Sequence, residues 1–177
     1  MFKIAISGKM CSGKSTLARI LQEQIKNKTN KECTIESFAN KIKELAIELF
    51  NVKQKDRKLL QQIGMKMREI NKDVWTLYVI NKHTDNIIID DLRFNNELKF
   101  LKENNYYLIR INIDRKLQET RLKKIYCDSK NHIQRLDHCS EIELDKSNNF
   151  DYTFETTNNT DLEEVAQNIF QKIIKNR

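Results

Sequence analysis

Gly8-Lys9-Met10-Cys11-Ser12-Gly13-Lys14-Ser15 fits the pattern G-x-x-x-x-G-K-[ST], the phosphate-binding P-loop. Only three glycines occur in 177 residues, and two of them stand at the fixed points of this octet. Upstream, Phe2-Lys3-Ile4-Ala5-Ile6-Ser7 reads as a buried strand. Downstream, Thr16-Leu17-Ala18-Arg19-Ile20-Leu21 opens a helix that places Leu17, Ile20, Leu21 and Ile25 on one face. Strand, glycine loop and helix N-terminus together make an anion site, because free backbone N–H groups and the helix dipole both favour phosphate. In that frame Gly8, Lys9, Met10, Cys11, Ser12, Gly13 and Thr16 are expected to wrap a nucleoside triphosphate. Lys14 should reach its β- and γ-phosphates, and the Ser15 hydroxyl should ligate Mg²⁺. The expected cofactors are ATP and Mg²⁺.

The length suits one domain with a real core. No apolar run approaches the roughly 18 residues of a membrane span, and the N-terminus lacks a signal-peptide pattern. The net charge of +7 comes from Lys residues scattered through helical patterns, without an aromatic-interleaved basic patch. Abundant Asn, Lys and Ile with no Pro suggest an AT-rich coding bias, so nucleic acid is not the expected partner. Cys11, Cys33, Cys127 and Cys139 form no C-x-x-C pair, which suggests free thiols and a cytoplasmic setting. Cys127, His132, His138 and Cys139 crowd together, but their spacing matches no standard zinc pattern. A homodimer is compatible with this composition and is not specified by it.

Strand and helix patterns alternate, the signature of a parallel sheet covered on both faces. Further strands are expected at Cys33–Phe38, Asn86–Asp90, Tyr106–Ile113 and Tyr152–Thr156. Helices are expected at Ile42–Phe50, Lys58–Ile70, Val74–Lys82, Glu97–Glu103 and Lys116–Ile125. A last helix opens on a capping box, Thr160-x-x-Glu163. The sum is a three-layer α/β/α P-loop fold over residues 1–177, with a five-stranded parallel sheet. An acceptor-binding insertion is expected at about 39–82 and a lid at about 114–140.

A regulatory GTPase is excluded, because Gly64 is the sole glycine outside the loop and Gln61 stands three residues before it, so no D-x-x-G exists. Transporter-type and ring ATPases are longer. A small-molecule kinase remains. Asp90, closing Ile87-Ile88-Ile89, fits the acid that assists Mg²⁺ at the end of a second strand, with Asp91 beside it. If the acceptor is itself a phosphate, its second pKa of about 6 leaves it ionised and in no need of a general base. The site must then gather arginines to hold two anions together. Arg68 in the insertion, Arg93, Arg110, and Arg115, Arg121 and Arg135 around the expected lid are the candidates, with a structural pair the alternative for Arg110 in mid-strand. Trp75 shares an apolar helical stripe with Leu77 and Tyr78, which favours core packing, with base stacking the alternative. His138 and Glu141 could hold a lid closed or cap a helix.

Three blocks carry a resemblance: Ser37-Phe38-Ala39-Asn40-Lys41-Ile42-Lys43-Glu44, Leu60 to Ile70 with Asp73-Val74-Trp75, and Asp90-Asp91-Leu92-Arg93-Phe94-Asn95-Asn96-Glu97. With the tail of His138-Cys139-Ser140-Glu141, Leu144-Asp145, Phe150-Asp151 and the Asn158-Asn159-Thr160-Asp161-Leu162-Glu163-Glu164 loop, the chain resembles the deoxynucleoside monophosphate kinases of phages and other large DNA viruses. That resemblance implies ATP-dependent phosphorylation of deoxynucleoside monophosphates for DNA precursor synthesis. It implies Arg68 and Arg93 on the acceptor phosphate, and Phe38, Lys41, Trp75, Asp91 and Glu141 around the acceptor. It implies Lys14, Arg68, Arg93 and Arg121 as the catalytic set, and Asn158 and Asn159 near the donor adenine. Asn40 stands where the family often has Asp. Kinases for phosphomevalonate or dephospho-coenzyme A, and an ATP-dependent nucleic-acid-end-processing protein, remain as alternatives.

Overall fold

β1 (Lys3–Gly8) runs through the middle of the molecule and ends in the glycine loop, as its apolar Ile4, Ala5 and Ile6 require. A computed structural model of the chain describes residues 1–52, 56–83, 85–126, 133 and 136–175. Around β1 lie β2 (Thr34–Glu36), β3 (Ile87–Leu92), β4 (Tyr107–Ile113) and β5 (Tyr152–Thr156), all parallel, in the order β2-β3-β1-β4-β5. Every parallel neighbour needs a crossover, and helices supply them on both faces.

On one face α1 (Lys14–Thr29) and α8 (Leu162–Lys175) pack over Phe2, Ile4, Ile6, Ile88, Ile109 and Ile111. On the other, α2 (Phe38–Phe50), α4 (Val74–Lys82) and α5 (Asn95–Glu103) cover Ala5, Ile87, Ile89 and Leu108, with Leu60, Ile63 and Met67 of α3 (Arg57–Ile70) against the same core. α6 (Arg115–Ile125) follows β4, and the one-turn α7 (Cys139–Ile142) precedes β5. This is the expected three-layer α/β/α P-loop fold. Alternating side chains bury β3 and β4 on both faces, which is why their sequences read as unbroken apolar runs. Among the described residues no helix is long and apolar enough to cross a membrane.

Several boundaries differ from the sequence expectation: β3 runs on to Leu92 and α5 starts at Asn95. β2 stops at Glu36, and α2 starts at Phe38 rather than Ile42, because Asp91 of β3 accepts the N–H groups of Phe38 (2.8 Å) and Ala39 (3.0 Å). A remote carboxylate thus serves the orphan donors of the first turn. The capping box at Thr160 does not form. Asp161 caps α8 through the N–H of Glu163 (2.9 Å), while the Thr160 hydroxyl accepts the N–H of Thr157 (2.7 Å).

Candidate active site

The glycine loop wraps the N-terminus of α1, and its shape explains its glycines. Gly13 has φ 102°, a region that side chains rarely adopt. A Cβ on Gly8 would lie 2.6 Å from Ser12 Oγ and 2.8 Å from the Ile111 carbonyl oxygen. Cys11 also takes a left-handed φ of 62° without that excuse. Such a conformation persists only where its surroundings over-determine it. Here Gln118 Nε2 donates to the Met10 carbonyl (3.0 Å), Arg121 donates to the Cys11 carbonyl (3.1 Å), and Lys9 pairs with Asp145 (2.7 Å). Asp145 in turn holds Arg110 (2.7 Å), whose other nitrogen donates to Ser7 Oγ (2.8 Å), so Arg110 is a structural brace beneath the loop. The Ser12 hydroxyl is buried and has no hydrogen-bond partner among the described residues.

Lys14 lies half-buried across the loop and donates to the Gly8 (2.7 Å) and Lys9 (2.8 Å) carbonyls. Burial first, then the nearby Arg93 charge, bring its ammonium down to about 8. The Ser15 hydroxyl donates to Asp90 (2.7 Å), whose carboxyl is pushed up by burial. Alcohol and carboxylate are the hard oxygen donors that Mg²⁺ accepts, and Mg²⁺ takes few protein ligands beside phosphate. The residues present therefore fit the ion. Among the described residues no group of three or more His, Cys, Asp or Glu could hold a metal; Cys127 and His132 lie outside them.

Asp90 and Asp91 owe their placement to a bulge. Ala5 pairs with Ile89 and Ser7 with Leu92, so β3 carries one residue more than β1 at these two acids. Asp90 turns to the glycine loop and Asp91 to α2, where it also accepts from Ser37 Oγ (2.6 Å). Both Asp91 oxygens are thus committed to the start of α2, although the residue lines the cleft.

Two cavities meet at the loop and share Met10, Cys11, Lys14, Ser15 and Tyr126. The larger, about 570 Å³, is walled by Phe38, Ile42, Leu60 and Met65 and carries Arg68, Arg93 and Glu141. The smaller, about 450 Å³, lies between Arg121, Tyr126, Thr157 and Asn158. Arg93 donates to the Glu141 carboxylate and to the Ser140 carbonyl (3.1 Å). The other Glu141 oxygen accepts the Met10 N–H (2.7 Å), so a buried carboxylate bridges the glycine loop and Arg93. Arg68 pairs with the buried Glu97 (2.8 Å) and lies over the Phe94 ring, 4.3 Å from its centroid.

Several expected residues lie elsewhere. Trp75 is in the core, 3% exposed, its indole N–H donating to the Gly64 carbonyl (3.2 Å), and it is absent from both cavity walls. Lys41 turns away to Glu44 (3.0 Å) and to the Tyr78 ring, and Lys43 lines the cleft instead. Asn158 lines the smaller cavity and Asn159 does not. Arg121 belongs to the smaller cavity, donating also to the Thr157 carbonyl (2.8 Å). Arg115 is at the surface with Glu119 and Asp137, and Arg135 lies outside the described residues. Sequence reasoning assigned no role to Glu36, Glu97, Gln118 or Asp145. For Glu97 the signal was its place in the block from Asp90 to Glu97, and for Asp145 its place in the tail that follows Glu141; Glu36 and Gln118 carry no local mark.

No protein-family model matches the chain, and no curated protein matches it. Solved structures do. It is similar to APS kinase of Mycobacterium tuberculosis in complex with AMPPNP and APS (11% identity, 97% of each chain, TM-score 0.56). It is also similar to shikimate kinase from Bacteroides thetaiotaomicron (14% identity, 98% of each chain, TM-score 0.55). A third is the YorR protein of Bacillus subtilis in complex with phosphorylated GDP (16% identity, 96% of this chain and 94% of that one, TM-score 0.50). At these identities the likeness shows the fold.

Proposed function

We propose that the chain is a nucleoside monophosphate kinase that transfers the γ-phosphoryl group of Mg·ATP to the 5′-phosphate of a deoxynucleoside monophosphate, giving the diphosphate for DNA synthesis. The observation that carries this reading is the pair of cavities meeting at the glycine loop, one with two arginines and apolar walls, the other with Arg121. The smaller cavity takes the donor nucleoside and the larger takes the acceptor. Lys14 and the loop N–H groups hold the donor phosphates, and Arg68 and Arg93 hold the acceptor phosphate. Ser15 and Asp90 would hold Mg²⁺, which would neutralise charge on the transferring group.

No residue needs to take a proton, since the acceptor phosphate is already ionised. The chain's task is to bring two anions into line and to keep water out, which are effects of position and charge. The apolar walls of Phe38, Ile42, Leu60 and Met65 suit a flat nucleobase, which a small polyol would leave unfilled.

The test is calorimetric titration with a bisubstrate compound in which five phosphates join adenosine to a deoxynucleoside. Binding one-to-one and at least tenfold tighter than ATP is expected, because one ligand then fills both cavities. Affinity no better than that of ATP removes the acceptor assignment.

A further inference from the structure

Arg68 reaches the cleft from α3, and its guanidinium is not left to find its own position. One nitrogen donates to Glu97 Oε1 (2.8 Å) and the other to the Gly64 carbonyl (3.1 Å), with the plane lying over Phe94. The other Glu97 oxygen accepts the backbone N–H groups of Arg93 (3.0 Å) and Phe94 (3.1 Å). Glu97 is 1% exposed, and its carboxyl is pushed up by burial against the opposing pull of Arg68. A single buried carboxylate therefore ties the insertion helix to the turn that carries Arg93. Burying a carboxylate costs several kcal/mol before partners offset it. An apolar residue at 97 would pack without that cost but could hold neither group.

We infer that Glu97 is the positioning residue of the acceptor site, fixing Arg68 and the Arg93 turn in one geometry so that both guanidinium groups meet the same acceptor phosphate. This rests on the proposed acceptor site. Glu97 itself touches no substrate. Each terminal nitrogen of Arg68 spends one of its two N–H groups on Glu97 or the Gly64 carbonyl, and the second on each is left for that phosphate. A flexible arginine would lose rotamer freedom on binding, and holding it beforehand removes that cost.

The test is Glu97→Gln, which keeps shape and an oxygen for the two backbone N–H groups but offers Arg68 no charge. Its effect on the acceptor is read with and without Arg68→Met. Glu97→Gln is expected to raise the acceptor KM at least tenfold, with the KM for ATP changed less than twofold. In the Arg68→Met background the same substitution should change acceptor KM less than twofold. The guanidinium ¹H–¹⁵N resonances of Arg68 in the ligand-free protein, slow to exchange in the parent, should become fast in Glu97→Gln. An unchanged acceptor KM, an equal rise in both backgrounds, or unaltered Arg68 resonances overturns the inference. If the parent protein phosphorylates no nucleoside monophosphate, the substrate reading fails while the resonances still decide whether Glu97 holds Arg68.

Discussion

Lys14→Met separates the catalytic from the structural role of the loop lysine, and the two should respond with opposite signs. In the folded chain the ammonium titrates at about 8 instead of its usual 10.5, because burial and Arg93 disfavour its charge more than Glu141, Asp90 and Asp91 favour it. The unfolded chain therefore holds a proton between pH 8 and 10.5 that the folded chain has released. Stability rises with pH across that window, by about 3 kcal/mol at most. At pH 7 the charged form imposes this cost. Lys14→Met removes it and loses the hydrogen bonds to the Gly8 and Lys9 carbonyls, worth about 0.5–1.5 kcal/mol each. The variant should be as stable as the parent at pH 7, or more stable by up to about 2 kcal/mol. At pH 10.5, where the parent lysine is neutral, keeps both bonds and retains little of this cost, the variant should be the less stable by about 0.5–2.5 kcal/mol. The assay is Tm by differential scanning at half-unit pH steps from 7 to 10.5. Other titrating groups are common to both proteins and cancel in the difference, so the curves should cross. Turnover should fall by about 10²–10³-fold or more at every pH, as for loss of a preorganised donor. A Tm difference independent of pH would refute the burial argument, and full turnover would refute the loop assignment.

Asp90→Asn keeps an acceptor for the Ser15 hydroxyl, so Tm should hold while the Mg²⁺ needed for half-maximal turnover rises tenfold or more; an unchanged requirement would remove Asp90 from the metal. Arg121→Ala removes the brace on the Cys11 and Thr157 carbonyls and a charged partner for the donor phosphates, so the KM for ATP should rise by about 10–100-fold, the worth of one charge-assisted hydrogen bond, with acceptor KM within twofold. Equal losses would move Arg121 to the acceptor side. Glu36, held at about 2 against the upward pull of burial by bonds from Ser37 N–H, Asn40, His83 and Lys82, contributes stability above pH 4.5 that is lost as pH falls through about 2. Glu36→Gln should cost about 1–3 kcal/mol at pH 7 by urea unfolding, a gap that closes toward pH 2; a constant gap would contradict the network.

The glycine loop and the five strands were legible because each depends on local pattern: apolar runs, fixed glycines and a helix start; β3, expected to close on Asp90, runs on through the bulge to Leu92. What local pattern could not give is what distant residues do to one another. α2 begins four residues early because Asp91, 53 positions away, caps it. Asp161 rather than Thr160 caps α8, since Thr160 is drawn back to Thr157. Trp75 and Lys41 belong to blocks from which the larger cavity draws part of its wall, yet rotation about the helix axis sends one inward and the other to Glu44. Glu97 and Asp145 are ordinary surface-type residues by composition, and only the folded chain brings them beneath the arginines and the loop.

The most direct measurement is ADP release, in a coupled assay with Mg·ATP, over dTMP, dGMP, dCMP, dAMP, their ribonucleotide counterparts and phosphomevalonate. The two-cavity account predicts strong turnover with one or more of the deoxynucleotides and none with Lys14→Met. Silence across all the nucleotides, with ATP still bound or phosphomevalonate consumed, would contradict it.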